Sequence, residues 1–282
     1  MTRPRRALAL ALSAIMLFTI AGCGGGEEPS ALEPKIAPPV IASEGVLRAG
    51  VDLSYPPFAG KDNGQQVGID IDVAAALAER LGLTLEIVDV KIADIPAALK
   101  GKQIDIALAA MPITDAVLTG VTPAGSYITD GSAFFSVVAS GTDAPEVSAV
   151  NVGSMKVGCQ EASPTFWKLE SDYGVGFAES FDSLRDAFEA LEAGEIDVVA
   201  ANAVVGSYIA RDFTEVRFTG QYGEATALGV TVAPDSADLE AAVREALDGL
   251  SSDGILETIR TKWVGGLVSL DAAASSETSV TP

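Results

Sequence analysis

The sequence predicts an α/β protein of two similar lobes, each a mostly parallel sheet flanked by helices. Three observations carry that prediction. Strand-like apolar runs alternate with segments of helical period along the chain, the pattern of βα units. Two pairs of segments repeat in the same order. Finally, 48% of the 282 residues are hydrophobic, enough for a sizeable core in one large domain or two modest ones.

Residues 1–22 read as an address. Arg3, Arg5 and Arg6 open the chain and an apolar run over 7–20 follows. That run is shorter than the roughly 20 apolar residues of a spanning helix and fits a secretory signal. It ends in Ile20-Ala21-Gly22-Cys23, which resembles the lipobox of bacterial lipoproteins, with Cys23 as the lipidated residue. An ordinary signal peptide with an incidental cysteine is the alternative. The Arg5-Arg6 pair lacks the fuller context of twin-arginine export. Residues 23–43, rich in Gly and Pro and without periodicity, read as a flexible tether, and 271–282 as a small, polar, disordered tail.

In the body, 44–270, the first strand is expected at 46–51, interrupted by Arg48. Asp72 is placed as N-cap of a helix over 73–81, with Val73, Leu77 and Leu81 on one face. Strands follow at 83–90 and 134–139. The strand-like run around 155–159 holds Cys159, read as a buried small residue and not a reactive thiol. An amphipathic helix over 183–192 shows Leu184, Phe188 and Leu191 on its apolar face. A strand at 228–232, a helix at 236–250 and a last helix at 255–263, stopped by Gly265-Gly266, complete the order.

The repeats are specific. AALKGKQIDIALAA (97–110) and EALEAGEIDVVAAN (189–202) each end a helix, turn at Gly101 or Gly194, and enter an apolar strand through Ile-Asp. Upstream, LRAGVDLSYPPF (47–58) pairs with MKVGCQEASPTF (155–166), with Pro56 and Phe58 matching Pro164 and Phe166 at one offset of 108. Ligands of parallel sheets bind beyond the carboxyl ends of the strands. Those ends carry residues 52–58, 110–114, 160–166 and Asn202, two from each lobe, facing one another across a cleft.

Charge and composition narrow the chemistry. There are 39 acidic residues against 18 basic ones, a formal charge of −21, which argues against a nucleic-acid partner. Removal of residues 1–22 would take three of the 18 basic residues and no acidic ones, leaving −24. There is no histidine, so histidine-based triads and the HExxH zinc helix are excluded. No GxxxxGK[ST], GxGxxG or GxSxG spacing occurs. Asp70 and Asp72 could share a face and hold a metal, but with no further ligand cluster they read as a loop carboxylate and a helix cap. Phe166-Trp167 fits a cleft entrance or a helix packing face equally. No catalytic residue, metal or cofactor is expected.

GIDIDVAAALAERL (68–81) resembles the signature of the bacterial extracellular solute-binding proteins of family 3, which serve ABC transporters for polar amino acids. VDLSYPPF (51–58), AALKGKQIDIALAAMPIT (97–114), VGCQEASPTF (157–166), EAGEIDVVAAN (192–202) and DGILETIRTKWVGG (253–266) continue the likeness in order. The resemblance implies the type II periplasmic-binding-protein fold, with lobe 1 at 44–127 plus 228–270 and lobe 2 at 128–227. Two hinge strands, near 127–131 and 224–228, would let the lobes close on a ligand. It implies a lipid-anchored, extracytoplasmic, membrane-bound monomer whose partners are a small-molecule solute and an ABC permease.

The resemblance also implies the ligand positions. Asp52 and Tyr55 would meet the variable part of the ligand, with Asp52 open to a cationic group. Ser163 and Thr114 stand where relatives bind the ligand carboxylate, and Ala110 ends the strand beside them. Four positions depart from the family. Val117 replaces a carboxylate-clamping Arg, Asn202 an Asp that pairs with the α-ammonium, Ile92 an aromatic wall, and Pro112 a hydroxyl residue. Charge-assisted hydrogen bonds contribute about 1.5–3 kcal/mol each, so losing both ends of the clamp costs on the order of a thousandfold in affinity. The expectation is a less zwitterionic or largely uncharged solute. An extracytoplasmic lyase or dehydratase, using Asp52 or Glu161 as acid, and a ligand-silent envelope interaction protein are the alternatives.

Overall fold

A computed structural model describes residues 33–114, 119–267 and 270. None of the described helices is long and apolar enough to cross a membrane. In chain order the elements are β1 (Val46–Val51), β2 (Gly60–Asp62), β3 (Gln65–Val67), α1 (Ile69–Arg80), β4 (Thr84–Asp89), α2 (Ile95–Lys100), β5 (Ile106–Ala107) and β6 (Thr122–Val137). Then come β7 (Val157–Gln160), α3 (Pro164–Tyr173), β8 (Ala178–Phe181), α4 (Leu184–Glu192), β9 (Val198–Asn202), α5 (Ala203–Ala210), β10 (Val216–Val232), α6 (Ala237–Ser252) and α7 (Ile255–Val264).

Eight strands form one sheet in the order β4-β1-β5-β10-β6-β9-β7-β8. β1 runs parallel to β4 and β5, and β7 runs parallel to β8 and β9. Between these two parallel trios lie β6 and β10, paired antiparallel along most of their length. These long strands reach both trios: Thr231 of β10 pairs with Ala107 of β5, and Ser132 to Phe135 of β6 pair with β9. The strand expected at 134–139 is therefore the end of β6, and that expected at 228–232 the end of β10. Their earlier halves are rich in Gly, Thr and Ser, which hid the strands from an apolar-run criterion. The stretches 127–131 and 224–228 fall inside them, beside a register shift between Tyr222 and Thr226. There Gly131 lies against the backbone of Ala225, and an added Cβ would sit 3.0 Å from its Cα.

The repeats are the same structure built twice. Asp105 donates its amide to the Arg48 carbonyl (2.8 Å) and accepts from the Arg48 amide (2.9 Å). Asp197 does the same with Lys156, at 2.9 and 2.8 Å. Each aspartate thus locks the start of a parallel strand to its neighbour. Two residues after Arg48 and Lys156, a Cβ on Gly50 would lie 2.5 Å from Ile104 and one on Gly158 2.4 Å from Ile196, the residues just before the two aspartates. The same close approach of isoleucine to strand recurs in both trios.

Two local expectations are corrected. α1 begins at Ile69 behind Gly68, four residues before the expected start, so Asp72 lies within its first turn and is no cap. The Asp72 carboxylate instead accepts from the Trp263 indole and the Lys262 ammonium, each at 2.6 Å. Gly68 is at φ 144, and a Cβ there would meet the Phe58 carbonyl at 2.1 Å; glycine is required by both conformation and space. The end of the segment read as a tether lies on the body. Ile41 is buried, and the Ala42 amide donates to Asp105 at 3.0 Å.

Candidate functional site

β1 delivers its carboxyl end into the loop that carries Asp52 and Tyr55. Asp52 is buried and its Oδ1 accepts from the Ser54 hydroxyl (2.5 Å), the Ser54 amide (3.1 Å) and the Lys91 ammonium (3.0 Å). The Ser54 hydroxyl above all, with Lys91 assisting against burial, holds its carboxyl down at about 2. This carboxylate is already matched by a cation of the protein. Tyr55 follows, 39% exposed, its ring stacked on buried Phe58 at 5.4 Å and 17°. The loop is tied to α1, because the amides of Ile69 and Asp70 donate to the carbonyls of Pro57 and Phe58.

The second trio supplies the facing wall. β7 ends at Gln160, Ala162 takes a left-handed φ of 57, and Ser163 caps α3 by accepting from the Phe166 amide at 3.1 Å. Proline at the next position suits a helix start, where its missing N–H is not needed. β9 ends at Asn202, whose Nδ2 donates to Asp130 Oδ2 at 3.3 Å. Tyr55, residues 160–164, Leu184, 200–202 and Val205 line an open cavity of about 220 Å³.

Of the nine expected ligand positions, Tyr55, Ser163 and Asn202 line this cavity. Asp52, Ile92, Ala110, Pro112 and Thr114 are not among its described lining residues. Ile92 is 46% exposed at the start of a single 3₁₀ turn. Ala110 takes a left-handed φ of 49, a conformation that costs a residue with a side chain. Pro112 sits between two backbone bonds to β10, Gly229 to the Met111 carbonyl and Ile113 to the Ala227 carbonyl, both 3.0 Å. Val117, Cys23 and the 271–282 tail lie outside the described residues. Phe166 and Trp167 meet edge-on at 5.2 Å, with Trp167 58% exposed, and neither lines the cavity.

Two buried acids were not foreseen as partners of the cleft. Asp70 is 1% exposed and its Oδ1 accepts from the Tyr127 hydroxyl at 2.5 Å, while its Oδ2 meets no donor. Burial raises its carboxyl to about 7 against the opposing bonds from Tyr127 and the Ala110 amide. Asp70 points inward and Asp72 outward, so the pair does not converge on a metal; no metal-binding cluster occurs among the described residues. Asp130, on β6, is buried and accepts from the amides of Gly131 (2.8 Å) and Val204 (3.1 Å) as well as from Asn202. Burial raises its carboxyl too, against those bonds. Nothing local in the sequence announces either partnership. They join residues 57 and 72 positions apart.

Comparison with known proteins places these features in a family. The sequence model of the bacterial extracellular solute-binding proteins, family 3, matches residues 47–266. The L-cystine-binding protein TcyJ of Escherichia coli (strain K12) is 24% identical over 228 residues, 80% of this chain and 85% of its own. An ancestral cationic amino acid solute-binding protein, AncCDT-1, superimposes with a TM-score of 0.65 at 27% identity, over 78% of this chain and 96% of its own. That protein is also described as a precursor of cyclohexadienyl dehydratase. An ancestral arginine-binding protein bound to arginine aligns at 30% identity and a TM-score of 0.54, over 79% of this chain and 99% of its own.

Proposed function

Since the chain belongs to the bacterial extracellular solute-binding proteins, family 3, we propose that it captures a small amino-acid-like solute for an ABC importer. The solute lies in the cavity between Tyr55 of one wall and Ser163 and Asn202 of the other. One observation carries this reading: an aromatic face and two polar caps, from loops at the carboxyl ends of both parallel trios, line an open cavity of about 220 Å³. That volume lies below the roughly 300–1,000 Å³ of drug-sized ligand pockets, which favours a small solute. The protein's work is binding and release. Lobe 1 (44–127 plus 228–270) and lobe 2 (128–227) close about the middles of β6 and β10, where the strands lose register. The closed form then docks on a membrane permease.

The site departs from a zwitterion clamp. No lysine or arginine is among the described lining residues, and Asn202 is neutral. A ligand carboxylate would meet Ser163, whose oxygen already accepts from Phe166, and the amides at the start of α3. Amino acids with their α-carboxylate and α-ammonium free are accordingly weak ligands in this account. Cys23 carries the lipid that holds the protein outside the membrane, and because a single acyl chain binds only marginally, at least two are attached. Cys23→Ala releases the protein to the soluble fraction; a variant that stayed with membranes would remove the lipid anchor from the account.

A thermal-shift panel tests the binding reading. Stabilisation of the purified protein by a small solute, lost in Tyr55→Ala, is the expected result. A panel in which the common α-amino acids alone stabilise it would contradict the missing clamp. The enzyme reading has one observation in its favour, Glu161 on the cavity wall in a chain similar to a dehydratase precursor. Unaltered recovery of the bound solute after prolonged incubation decides against it, and turnover decides for it.

A further inference from the structure

Charge around the cavity is one-sided. Among its described lining residues Glu161 is the charged one, and behind Asn202 stands Asp130, 6% exposed. A buried carboxylate is costly without a cation, yet the described donors to Asp130 are the backbone amides of Gly131, Val204 and Ala203 and the Asn202 side chain, all of them neutral. Its Oδ2 accepts from Asn202 at a long 3.3 Å, and a carboxylate with about four lone-pair sites keeps acceptor capacity. On the opposite wall the Tyr55 phenol is raised, chiefly by burial, with the fields of Asp130 and Asp70 adding to it.

Asp130 also decides which way Asn202 faces. An ionised carboxylate accepts and does not donate, so the amide must turn its NH2 toward Asp130. Asn202 Oδ1 is then the end left for a ligand, and no described donor meets it. Hydrogen bonding of the NH2 to a carboxylate polarises that oxygen further. With Asp130 ionised, the wall offers an acceptor backed by a negative charge.

We propose that Asp130, acting through and beside Asn202, is the anionic anchor of the cavity, and that the solute is an organic cation, an amine or guanidine, needing no carboxylate. This rests on the cavity's being the solute site, and it moves the cation-binding role from Asp52, which Lys91 already neutralises, to Asp130. Asp130 is a specificity residue that orients Asn202 and supplies the counter-charge. Three probes separate the possibilities by calorimetry on the purified protein. Agmatine carries a guanidinium and an ammonium without a carboxylate, arginine adds the carboxylate, and glutamine carries no side-chain charge.

The expected order is agmatine tightest, then arginine, then glutamine. In Asp130→Asn the new Oδ1 keeps the Gly131 and Val204 amides, while its NH2 forces Asn202 to reverse and present its own NH2 to the cavity. Agmatine binding then weakens at least tenfold and glutamine binding does not. If that variant fails to fold, Asn202→Ala removes the same acceptor and should give the same selective loss. Failure of agmatine to bind, or glutamine binding that is tighter than agmatine and unchanged in Asp130→Asn, overturns the cation assignment while leaving the cavity as the solute site. Binding of all three probes that is untouched by Tyr55→Ala overturns the cavity reading itself, and this inference with it.

Discussion

Asp70 and Asp52 are the residues whose protons report on this site, and they titrate in opposite directions. The Asp70 carboxyl is raised from 3.8 to about 7 by burial, so the folded state holds its proton more tightly than the unfolded chain does. Stability therefore falls as pH rises from about 4 toward about 7 and levels off above. Asp70→Asn keeps an acceptor for Tyr127 and removes that dependence. Thermal unfolding of the variant should match wild type at pH 4 and exceed it at pH 8; parallel curves at both would contradict a buried, titrating Asp70. Asp52 is held at about 2, so its contribution is present above about 4 and lost as pH falls through about 2. Lys91→Met should raise the Asp52 value, read by carboxyl NMR, with the Ser54 hydroxyl bond retaining part of the depression. The neighbourhood of Tyr55, Ser163 and Asn202 was legible because strand ends are local patterns, and the family resemblance singled out the three positions within it. Lys91 with Asp52, Tyr127 with Asp70 and Asp130 with Asn202 are pairings over 39, 57 and 72 positions. The first exists only once β1 pairs with β4, and the other two only once β6 crosses the sheet.

At the scale of elements, cap chemistry and close packing make separable predictions. Ser183 accepts from the Asp186 amide while the Asp186 carboxylate accepts from the Ser183 amide, a closed capping box on α4. Ser183→Ala should cost about 1 kcal/mol, a fall in Tm of about 2–4 °C, with solute affinity unchanged. Gly68→Ala should do both kinds of damage. Its Cβ would strike the Phe58 carbonyl, and that segment ties α1 to the Tyr55 loop. Reduced stability together with weaker solute binding is expected, and wild-type behaviour in either assay would contradict the coupling. The sequence places Ser183 inside the amphipathic helix as its first residue, and the structure makes it the cap instead. The start of α1 was not legible in sequence, because Asp72 satisfies the cap preference as well as Gly68 does, and what decides is the approach of a distant carbonyl.

For the whole molecule, the duplicated trios were the most legible feature, since Asp105 and Asp197 lock Arg48 and Lys156 with nearly the same geometry. The two long strands between them were read as short fragments, because their Gly- and Thr-rich middles lack the apolar signal of the ends. Those middles are where closure is placed, and solute should lower the radius of gyration in solution scattering; an unchanged radius at saturation would contradict closure. The acidity, −21 over the chain, is in keeping with the proposed cationic solute, as is a cavity without a lysine or arginine among its described lining residues. Native mass spectrometry of the freshly purified protein, beside Tyr55→Ala, tests the central claim most directly. The account predicts a small-molecule adduct on the wild type that the variant loses. An adduct of equal occupancy on both, or none on either after incubation with agmatine, arginine and glutamine, would contradict it.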